Sequence, residues 1–539
     1  MKFKYIITSL ATLCILMSGE HIMAQKSHYS FDRIESMTPW LQSANGAGLV
    51  FNAADENISS VYGYACYTDN GFKNYNQADA VTTLGLGTKS YMRLNKFYFY
   101  GRFDYNYTFK KNQTWLGNVY ENSTLAPMSE NIPGKVLKES YLLNAKVAYK
   151  LSDKSAFGIS FDYEDANAAK KRDGRNSNVY SNLNVSPAYT FSSEYIDFGI
   201  GFNYKYQSES VDYKFFGDVA GKELYYFEGL FMYTSNSITN ANSIVSNRLY
   251  NTNTFGGSAQ AVLKLGKLSF FNQFQALYGT QDMYEDLGNR KRYATSENML
   301  YTYNGILKLS GDKMENSLHL NYANSESLLY NIANIYESIE GENNQWQYNE
   351  HGKSLRYTNK DESYGAMYHG FIKRDEYIQK IDFTLGFTYN KESSVQKLYP
   401  AQYNQKIRTR NYFASINKSV PVRDYGWFMI GVSGGLFSGN GNMLSAVNPI
   451  TTGSIKVHTD LLETDYLYRT ADRYNIGCTL KYNHILNQSK SKGMNLWIKA
   501  NYVYTGVTMP EYTSSNEEIL NHFIKDNCHM FDVTVGFNF

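Results

Sequence analysis

Apolar and polar residues alternate over long stretches of this chain, and the clearest stretch runs from Phe97 to Lys110. One set of alternate positions is aromatic: Phe97, Phe99, Phe103, Tyr105, Tyr107 and Phe109. The intervening positions are polar: Arg102, Asp104, Asn106 and Thr108. Because a period of two places successive side chains on opposite faces of a strand, the pattern predicts a β-strand with one apolar face and one polar face.

The same alternation recurs along the chain as far as its last residue. Further copies lie at residues 141–151, 157–164, 196–205, 314–324, 381–389, 474–482, 494–504 and 529–539. We count eighteen strands, the first beginning near Ser59 and the last ending at Phe539. Sixteen strands is the alternative, because the stretches near 59–73 and 426–438 alternate only weakly, and boundaries carry errors of a few residues.

Short polar turns and long polar connections join successive strands alternately. The short ones include Leu94-Asn95, Ser152–Ser155, Ser192–Glu194, Gly266-Lys267, Ser310–Lys313, Arg374–Glu376 and Pro421–Arg423. The long ones cover about residues 111–138, 207–253, 325–357, 439–465 and 507–527. Short periplasmic turns and long extracellular loops are typical of outer-membrane barrels. The predicted fold is therefore all-β, a transmembrane antiparallel up-and-down β-barrel.

Composition fits a barrel in lipid. The chain has 50 Tyr, 31 Phe and 5 Trp but only 8 Pro, and tyrosine suits the boundary between lipid and water. The chain is polar on average, as expected where lipid touches only one face of each strand. An array of extracellular β-sandwiches would also be rich in tyrosine, but it would not need strands this long.

The first residues predict export from the cytoplasm. Met1–Lys4 carries two lysines, Ile6–Met17 is a short apolar run, and Ala24 precedes a predicted cleavage site at Gln25. This arrangement is that of a secretory signal peptide, and twelve apolar residues are too few to span a bilayer. We therefore predict a signal peptide (1–24), an N-terminal periplasmic segment (25–57) and the barrel (58–539). We expect Trp40-Leu41 and Leu49–Phe51 to pack in or against the periplasmic mouth of the barrel.

The last strand resembles the terminal strand that outer-membrane barrels present to their assembly machinery. Its alternate positions are apolar and end on an aromatic residue: Phe531, Val533, Val535, Phe537 and Phe539. This resemblance implies location in the outer membrane of a Gram-negative bacterium, with the barrel assembly machinery and outer-membrane lipid as partners.

Charged residues of both signs fall on the predicted inner faces. We expect the following residues to line the lumen: Arg102, Asp104, Lys146, Asp162, Asp197, Lys205, Lys308, Glu315, Lys380, Asp382, Lys481 and Lys499. They form either a merely polar lining or a field that selects ions. Mixed signs argue against strong selectivity for anions or for cations.

Two predicted extracellular loops are rich in aromatic residues. The residues concerned are Tyr225, Tyr226, Phe227, Phe231, Tyr233, Trp346 and Tyr348. They would stack on sugar rings, fold into the lumen as a constriction, or extend the flanking hairpins above the membrane. Loops are where binding residues concentrate in such architectures.

Chemical motifs are weak. Gly431–Gly435 matches G-x-S-x-G, but within a predicted strand and not at a strand-to-helix elbow. His522, Cys528 and His529 lie near one another without a metal-binding spacing, and His319 and His369 are isolated. Cys66, Cys478 and Cys528 are an odd number far apart, which disfavours a disulfide framework. We predict no catalytic residue, cofactor or metal, and no partner nucleic acid.

The whole chain resembles the uncharacterised outer-membrane β-barrel proteins of Bacteroidota, known mostly as domains of unknown function. The resemblance is carried by Met23-Ala24-Gln25, by the stretch Pro39–Leu49 and by the Phe539 ending. It implies a fold and a location and transfers no site residue. The function hypothesis is a porin-like channel or an accessory nutrient-uptake protein that passes or binds small polar solutes. The alternatives are a scaffold or accessory subunit of a TonB-dependent uptake or secretion complex, partnered by a surface lipoprotein, and an outer-membrane hydrolase.

Overall fold

A computed structural model describes most of the chain. It describes residues 31, 35, 39–51, 57–172, 174–239, 244–288, 290–338, 345–374, 378–422, 426–450, 453–486, 494–508 and 527–539. The predicted signal peptide (1–24), His522 and most of the connection at 507–527 lie outside the described residues.

Eighteen strands form one sheet. They are β1 (Ile58–Asn70), β2 (Ala80–Leu94), β3 (Phe97–Gln113), β5 (Gly134–Lys150), β6 (Ser155–Lys170), β7 (Arg175–Ser192), β8 (Ile196–Lys214), β11 (Ile244–Leu265), β12 (Leu268–Glu285), β13 (Lys291–Ser310), β14 (Met314–Ser338), β15 (Trp346–Lys373), β16 (Gln379–Leu398), β17 (Ala401–Val422), β18 (Gly426–Val447), β20 (Asp472–Ile485), β21 (Asn495–Thr508) and β22 (Asn527–Asn538). The predicted number of strands is confirmed, and the two weakly alternating stretches form β1 and β18.

The sheet closes on itself. Each strand pairs antiparallel with its neighbours along the wall, and β22 returns to pair with β1 from Ser60↔Asn538 to Asn70↔Cys528. Beyond the last pair, the main chains of Ser59 and Phe539 exchange two hydrogen bonds of 2.8 and 2.9 Å. Among the described strands of this sheet, closure leaves no open edge, as lipid requires of a β-structure.

The outer face of the wall is apolar. On β8, Phe198, Ile200 and Phe202 are exposed, whereas Asp197 and Asn203, which point the other way, are buried. An apolar outer band around a polar interior is the arrangement of a transmembrane β-barrel. Separately, none of the helices among the described residues is long and apolar enough to cross a membrane.

The predicted long connection at 325–357 is wrong in extent. The β14–β15 hairpin continues to the pair Ser338↔Trp346. The reason is that its upper outer face is charged: Lys360 pairs with Glu326 at 3.0 Å, and Lys391 of β16 pairs with Glu362 at 3.2 Å. Beyond the lipid neither face of a strand must be apolar, so the alternation that marks strands in sequence disappears.

Three long connections at the same end of the barrel, the long-loop end, enter the lumen. Their strands form a second sheet, the inner sheet, in the order β19-β10-β9-β4. Its strands are β4 (Met128–Ser129), β9 (Glu223–Phe227), β10 (Met232–Ser237) and β19 (Lys456–Val457). Helix α2 (Thr459–Thr470) follows β19. Met128, Leu224 and Leu230 pack with wall residues such as Tyr250 and Met283 in one buried cluster.

The opposite end, the short-turn end, holds the chain that precedes β1. We call Phe31, Glu35 and residues 39–51 the N-terminal segment. It contains the short helix α1 (Pro39–Gln42) and a 3-10 helix at Gly46–Phe51. Leu41, Ala47 and Leu49 are buried in a cluster with Tyr98 and Ala148 of the wall.

Candidate functional site: the occupied lumen

Lys146 of β5 anchors the N-terminal segment inside the barrel. Its ammonium group is buried and donates to the carbonyl oxygens of Leu41 at 2.6 Å and Ser43 at 2.7 Å. The Leu41 carbonyl lies in the last turn of helix α1 and the Ser43 carbonyl follows it, where main-chain oxygens lack partners within the helix. The lysine charge therefore holds the end of a helix inside the lumen, where a hydrogen bond to a charged group is strong.

Polar contacts with strands further along the wall complete the anchorage. Ser43 Oγ donates to Gln273 Oε1 at 2.8 Å, and Asn45 Nδ2 donates to Gln260 Oε1 at 3.0 Å. The Trp40 ring meets the Phe271 ring edge-on at 5.4 Å. The segment therefore lies along the inner face of the wall from β5 to the β11–β12 hairpin.

Glycine allows the close approach of segment and wall. A Cβ atom at Gly158 of β6 would collide with the main chain of Ala47, with its Cα at 2.6 Å. Wall and segment are therefore fitted to each other, since a larger side chain would force them apart.

At the other end, the inner sheet is fixed by a buried arginine. Arg248 of β11 lies between the rings of Tyr293 (4.0 Å) and Tyr226 (4.8 Å). Its Nη1 donates to the carbonyl oxygen of Ala126 at 3.1 Å, next to β4. Stacking and hydrogen bonding together exploit the planar guanidinium group.

A buried carboxylate fixes the connection between β3 and β5. Glu209 of β8 accepts hydrogen bonds from the Val119 main chain (2.6 Å) and from the side chains of Asn118 and Asn178 (3.0 Å each). A carboxylate with this many donors is satisfied, so the connection is bound to the wall by specific polar contacts.

Cavities remain between the inserted elements. One, of about 380 Å³, lies against the N-terminal segment and has a mostly neutral polar lining that includes Asn144, Asn184 and Gln275. A second, of about 470 Å³, lies at the long-loop end between the inner sheet, helix α2 and strands β14–β17. Both are of the size of small-molecule sites.

Eleven of the twelve charged residues expected in the lumen alternate with the outward apolar residues of their strands, and Lys380 lies at a break in the β15–β16 register. Six of them are buried to at least nine-tenths: Asp104, Lys146, Asp197, Glu315, Asp382 and Lys481. Asp162, Lys205, Lys308 and Lys499 are partly buried, and Arg102 and Lys380 are exposed. Several are paired within the wall, with Arg102 2.6 Å from Asp104 and Lys308 3.1 Å from Glu315. The charges of these pairs are therefore neutralised locally.

The aromatic residues expected in loops lie in strands or in a tight turn. Tyr225, Tyr226 and Phe227 belong to β9, Phe231 to the turn and Tyr233 to β10. Of the alternatives given above, these five residues therefore follow the one in which the loop folds into the lumen. Trp346 and Tyr348 belong to β15 and pack on Tyr336 at 5.6 and 4.7 Å, as an extension of the hairpin. The first five residues resemble loop residues in the sequence because the short strands of the inner sheet pair with one another and not with the wall.

The weak chemical motifs do not form a catalytic or metal-binding site among the described residues. Gly431–Gly435 lies within β18, with no strand-to-helix elbow. Cys528 and His529 lie in β22, and the Cys528 thiol donates to the Phe72 carbonyl oxygen at 3.1 Å. Cys66, Cys478 and Cys528 are free thiols. Among the described residues no group of three or more His, Cys, Asp or Glu could hold a metal ion.

Sequence reasoning found Phe227 and Phe231 but missed the other residues that line the cavity of about 470 Å³. Asp465 and Arg469 of helix α2 are 3.5 Å apart and lie at the end of the predicted long connection at about 439–465 and just beyond it. Their i,i+4 spacing is a helix signal that could have been used. Trp115 and Phe231 adopt positive φ angles of 54° and 50°, which only tertiary contacts impose on such residues.

Solved structures that resemble the chain are outer-membrane proteins. The ferric preacinetobactin receptor BauA from Acinetobacter baumannii has 9% identity and a TM-score of 0.39, covering 90% of this chain and 80% of that chain. The FrpB iron transporter from Neisseria meningitidis has 11% identity and a TM-score of 0.39, covering 92% and 83%. A FadL homologue from Pseudomonas aeruginosa has 11% identity and a TM-score of 0.29, covering 92% and 91%. Similarity at this level carries no information on what the chain binds.

Comparison with curated proteins gives no match. A family model matches residues 46–539, from within the N-terminal segment to the end of the last strand. The chain therefore belongs to the family of unknown function DUF6850.

Proposed function

We propose that this protein is an outer-membrane uptake barrel that binds a small polar solute and passes it only after the elements inside the lumen move. The observation that carries the proposal is the occupation of the lumen from both ends, by the N-terminal segment and by the inner sheet with helix α2. A permanently open porin is the function that this arrangement disfavours.

The apolar outer face supports a place in the outer membrane. Exposed residues such as Leu86, Ile430 and Ile476 would meet lipid, and closed β-barrels are the β-structures that lipid tolerates. By analogy with other such barrels, the short-turn end faces the periplasm and the long-loop end faces the outside. The N-terminal segment then closes the periplasmic side, and the larger cavity opens towards the extracellular side.

The contacts of the N-terminal segment support a displaceable closure. It is held by discrete polar contacts, through Lys146, Gln260 and Gln273, and by the buried apolar cluster described above, and its described residues make no strand pairing with the wall. Because the barrel sheet is closed without it, the segment can leave the lumen while the wall remains intact.

Solute flux into proteoliposomes tests the proposal. We would compare swelling in small polar solutes of increasing size for the full-length mature protein and for a variant that lacks residues 25–51. We expect slow swelling with the full-length protein and faster, size-limited swelling with the variant. The heat-dependent shift in electrophoretic mobility that marks folded barrels serves as the control for both.

Equally fast swelling with both proteins would show that the segment does not close the lumen, and the role of an open porin would replace the proposed one. A folded variant that excludes every solute, even after the β9–β10 hairpin is also removed, would refute passage through this lumen.

A further inference from the structure

The cavity of about 470 Å³ at the long-loop end has a lining that is strongly biased in charge. Its lining residues include four carboxylates, Glu121, Asp361, Glu392 and Asp465, and one cation, Arg469. Four negative charges against one positive charge give a formal charge of −3. These groups come from the β3–β5 connection, two wall strands and helix α2, so the bias arises from separate parts of the fold.

The charge of Lys110 of β3 acts on Glu121. Arg469 forms ion pairs with two of the other three carboxylates, and its charge also acts on the third, Asp361. The Nη1 atom of Arg469 lies 3.4 Å from Glu392 Oε1 and 3.5 Å from Asp465 Oδ2. Asp361 lies opposite Glu392 in the β15–β16 register, and like charges facing each other across a strand pair are destabilising. Asp361 has the Asn359 amide as a hydrogen-bond donor at 2.7 Å, which does not cancel a charge.

The surroundings make these charges costly. Burial raises the pKa of the Asp465 carboxyl, and burial also raises the pKa of Glu121. Charge that is withdrawn from water needs a compensating partner. A cation brought in from solution would supply one, whereas a neutral ligand would leave the imbalance unchanged.

Asn76 supplies an independent observation. Its side chain lines the cavity and is 8% exposed, and among the described residues its Oδ1 atom has no hydrogen-bond partner. A buried acceptor without a donor is uncommon in folded proteins. Together with the carboxylates it makes the lining rich in acceptors, so it suits a ligand rich in N–H donors.

Aromatic rings form the remaining wall of the cavity. Tyr75 meets Phe231 edge-on at 5.3 Å, and Trp115 and Tyr357 also line the space. Ring faces attract organic cations, and the attraction is greater where water is excluded. Rings would not favour a hydrated inorganic ion, which needs oxygen ligands around it.

We propose that this cavity binds a small organic cation that carries ammonium or guanidinium groups. Carboxylates would accept its N–H donors, and the aromatic rings would cover its apolar part. The proposal rests on the proposed uptake function for its physiological meaning, but the binding itself depends only on the cavity.

Titration calorimetry of the full-length mature protein in detergent tests the inference, with agmatine as the cationic probe. Maltose serves as the neutral probe and calcium chloride as the inorganic cation. We expect agmatine to bind, with an affinity that falls as salt is added because the charges are screened. We expect maltose and calcium to bind at least about tenfold more weakly.

Variants locate the site. Asp361→Asn and Glu121→Gln keep the side-chain shape, and each should weaken agmatine binding about tenfold. Trp115→Leu should weaken it as well, by about threefold to tenfold. The matched control is Asp153→Asn, in an exposed turn at the short-turn end, which should bind agmatine as the parent protein does.

The outcomes separate this inference from the proposed function. Failure of agmatine to bind, equal binding by the Asp361→Asn and Asp153→Asn variants, or preference for maltose would each overturn the cation site. Binding of agmatine at the cavity by a protein that fails the swelling test would leave the site standing and refute only the uptake role.

Discussion

At the scale of single residues, the closure of the lumen depends on Lys146. Its ammonium group donates to two main-chain oxygens of the N-terminal segment, and a hydrogen bond to a charged group contributes about 1.5–3 kcal/mol. Lys146→Met keeps the length of the side chain and removes both bonds. We expect the segment to leave the lumen more readily, as measured by faster proteolytic cleavage before β1 in the folded, detergent-purified protein.

Lys499→Met is the matched control, because Lys499 lies on the inner face of β21, away from the contacts that hold the segment. Cleavage should remain at the parent rate in this variant. Equal cleavage of the parent and the Lys146→Met protein would show that the lysine does not hold the segment.

Gly229, in the turn between β9 and β10, tests the binding of the inner sheet to the wall. It has a φ of 81°, and a Cβ atom there would collide with the Gln396 amide oxygen and lie 2.7 Å from Tyr357 Cβ. Gly229→Ala should destabilise the bound position of the hairpin by about 1–3 kcal/mol through overpacking. Hydrogen exchange of the amides in β9 and β10 measures the loss of protection.

Gly217→Ala provides the comparison, since Gly217 has a φ of 68° but nothing within 4 Å of its Cβ position. Both variants carry the backbone cost of a positive φ, and only Gly229→Ala carries the collision. Equal exchange rates in the two variants would contradict the packing described for the turn.

At the scale of elements, the strand that closes the barrel carries its own prediction. Phe531 of β22 is exposed on the outer face and lies opposite Tyr67 and Tyr502. Phe531→Asp would place a charge against lipid, at a cost of up to about 2 kcal/mol. We expect a smaller folded fraction in outer membranes, measured by heat-dependent mobility, whereas Phe531→Leu should assemble normally. Normal assembly of the Asp variant would remove this residue from the assembly signal and from the lipid-facing surface.

Elements in contact with lipid could be predicted from sequence, and those enclosed by the barrel could not. Residues 97–110 alternate because one face meets lipid and the other meets the polar interior. In β9, Leu224 and Phe227 are buried while Tyr225 and Tyr226 are partly buried, so no period of two appears. Above the lipid, the β14–β15 hairpin is charged on its outer face and therefore resembles a loop.

The candidate cavity could not be found in the sequence either. Asn74 and Asp465 are 391 positions apart along the chain, and their side chains meet at 2.7 Å. Only the closed wall brings such connections together, because every long connection is anchored at the same end. Inward-facing charged residues on strands, such as Asp104 and Lys146, could be predicted from sequence. The face on which each one lies depends only on the alternation of positions along its own strand.

At the scale of the whole molecule, the barrel supplies a closed wall, and under the proposed function the inserted elements determine what passes. The wall is closed by its own strand pairing, and the inserted elements bind it through side chains. The N-terminal segment and the inner sheet are therefore the parts that can move without unfolding the barrel, as a gated uptake protein requires.

Single-channel conductance in planar bilayers tests this closure most directly. The full-length mature protein would be compared with a variant that lacks residues 25–51 and carries a Gly-Ser linker in place of residues 218–239. We expect the full-length protein to be silent apart from brief openings, and the variant to give stable ohmic steps of porin size. Stable ohmic steps of the same size from the full-length protein would contradict the occupied lumen.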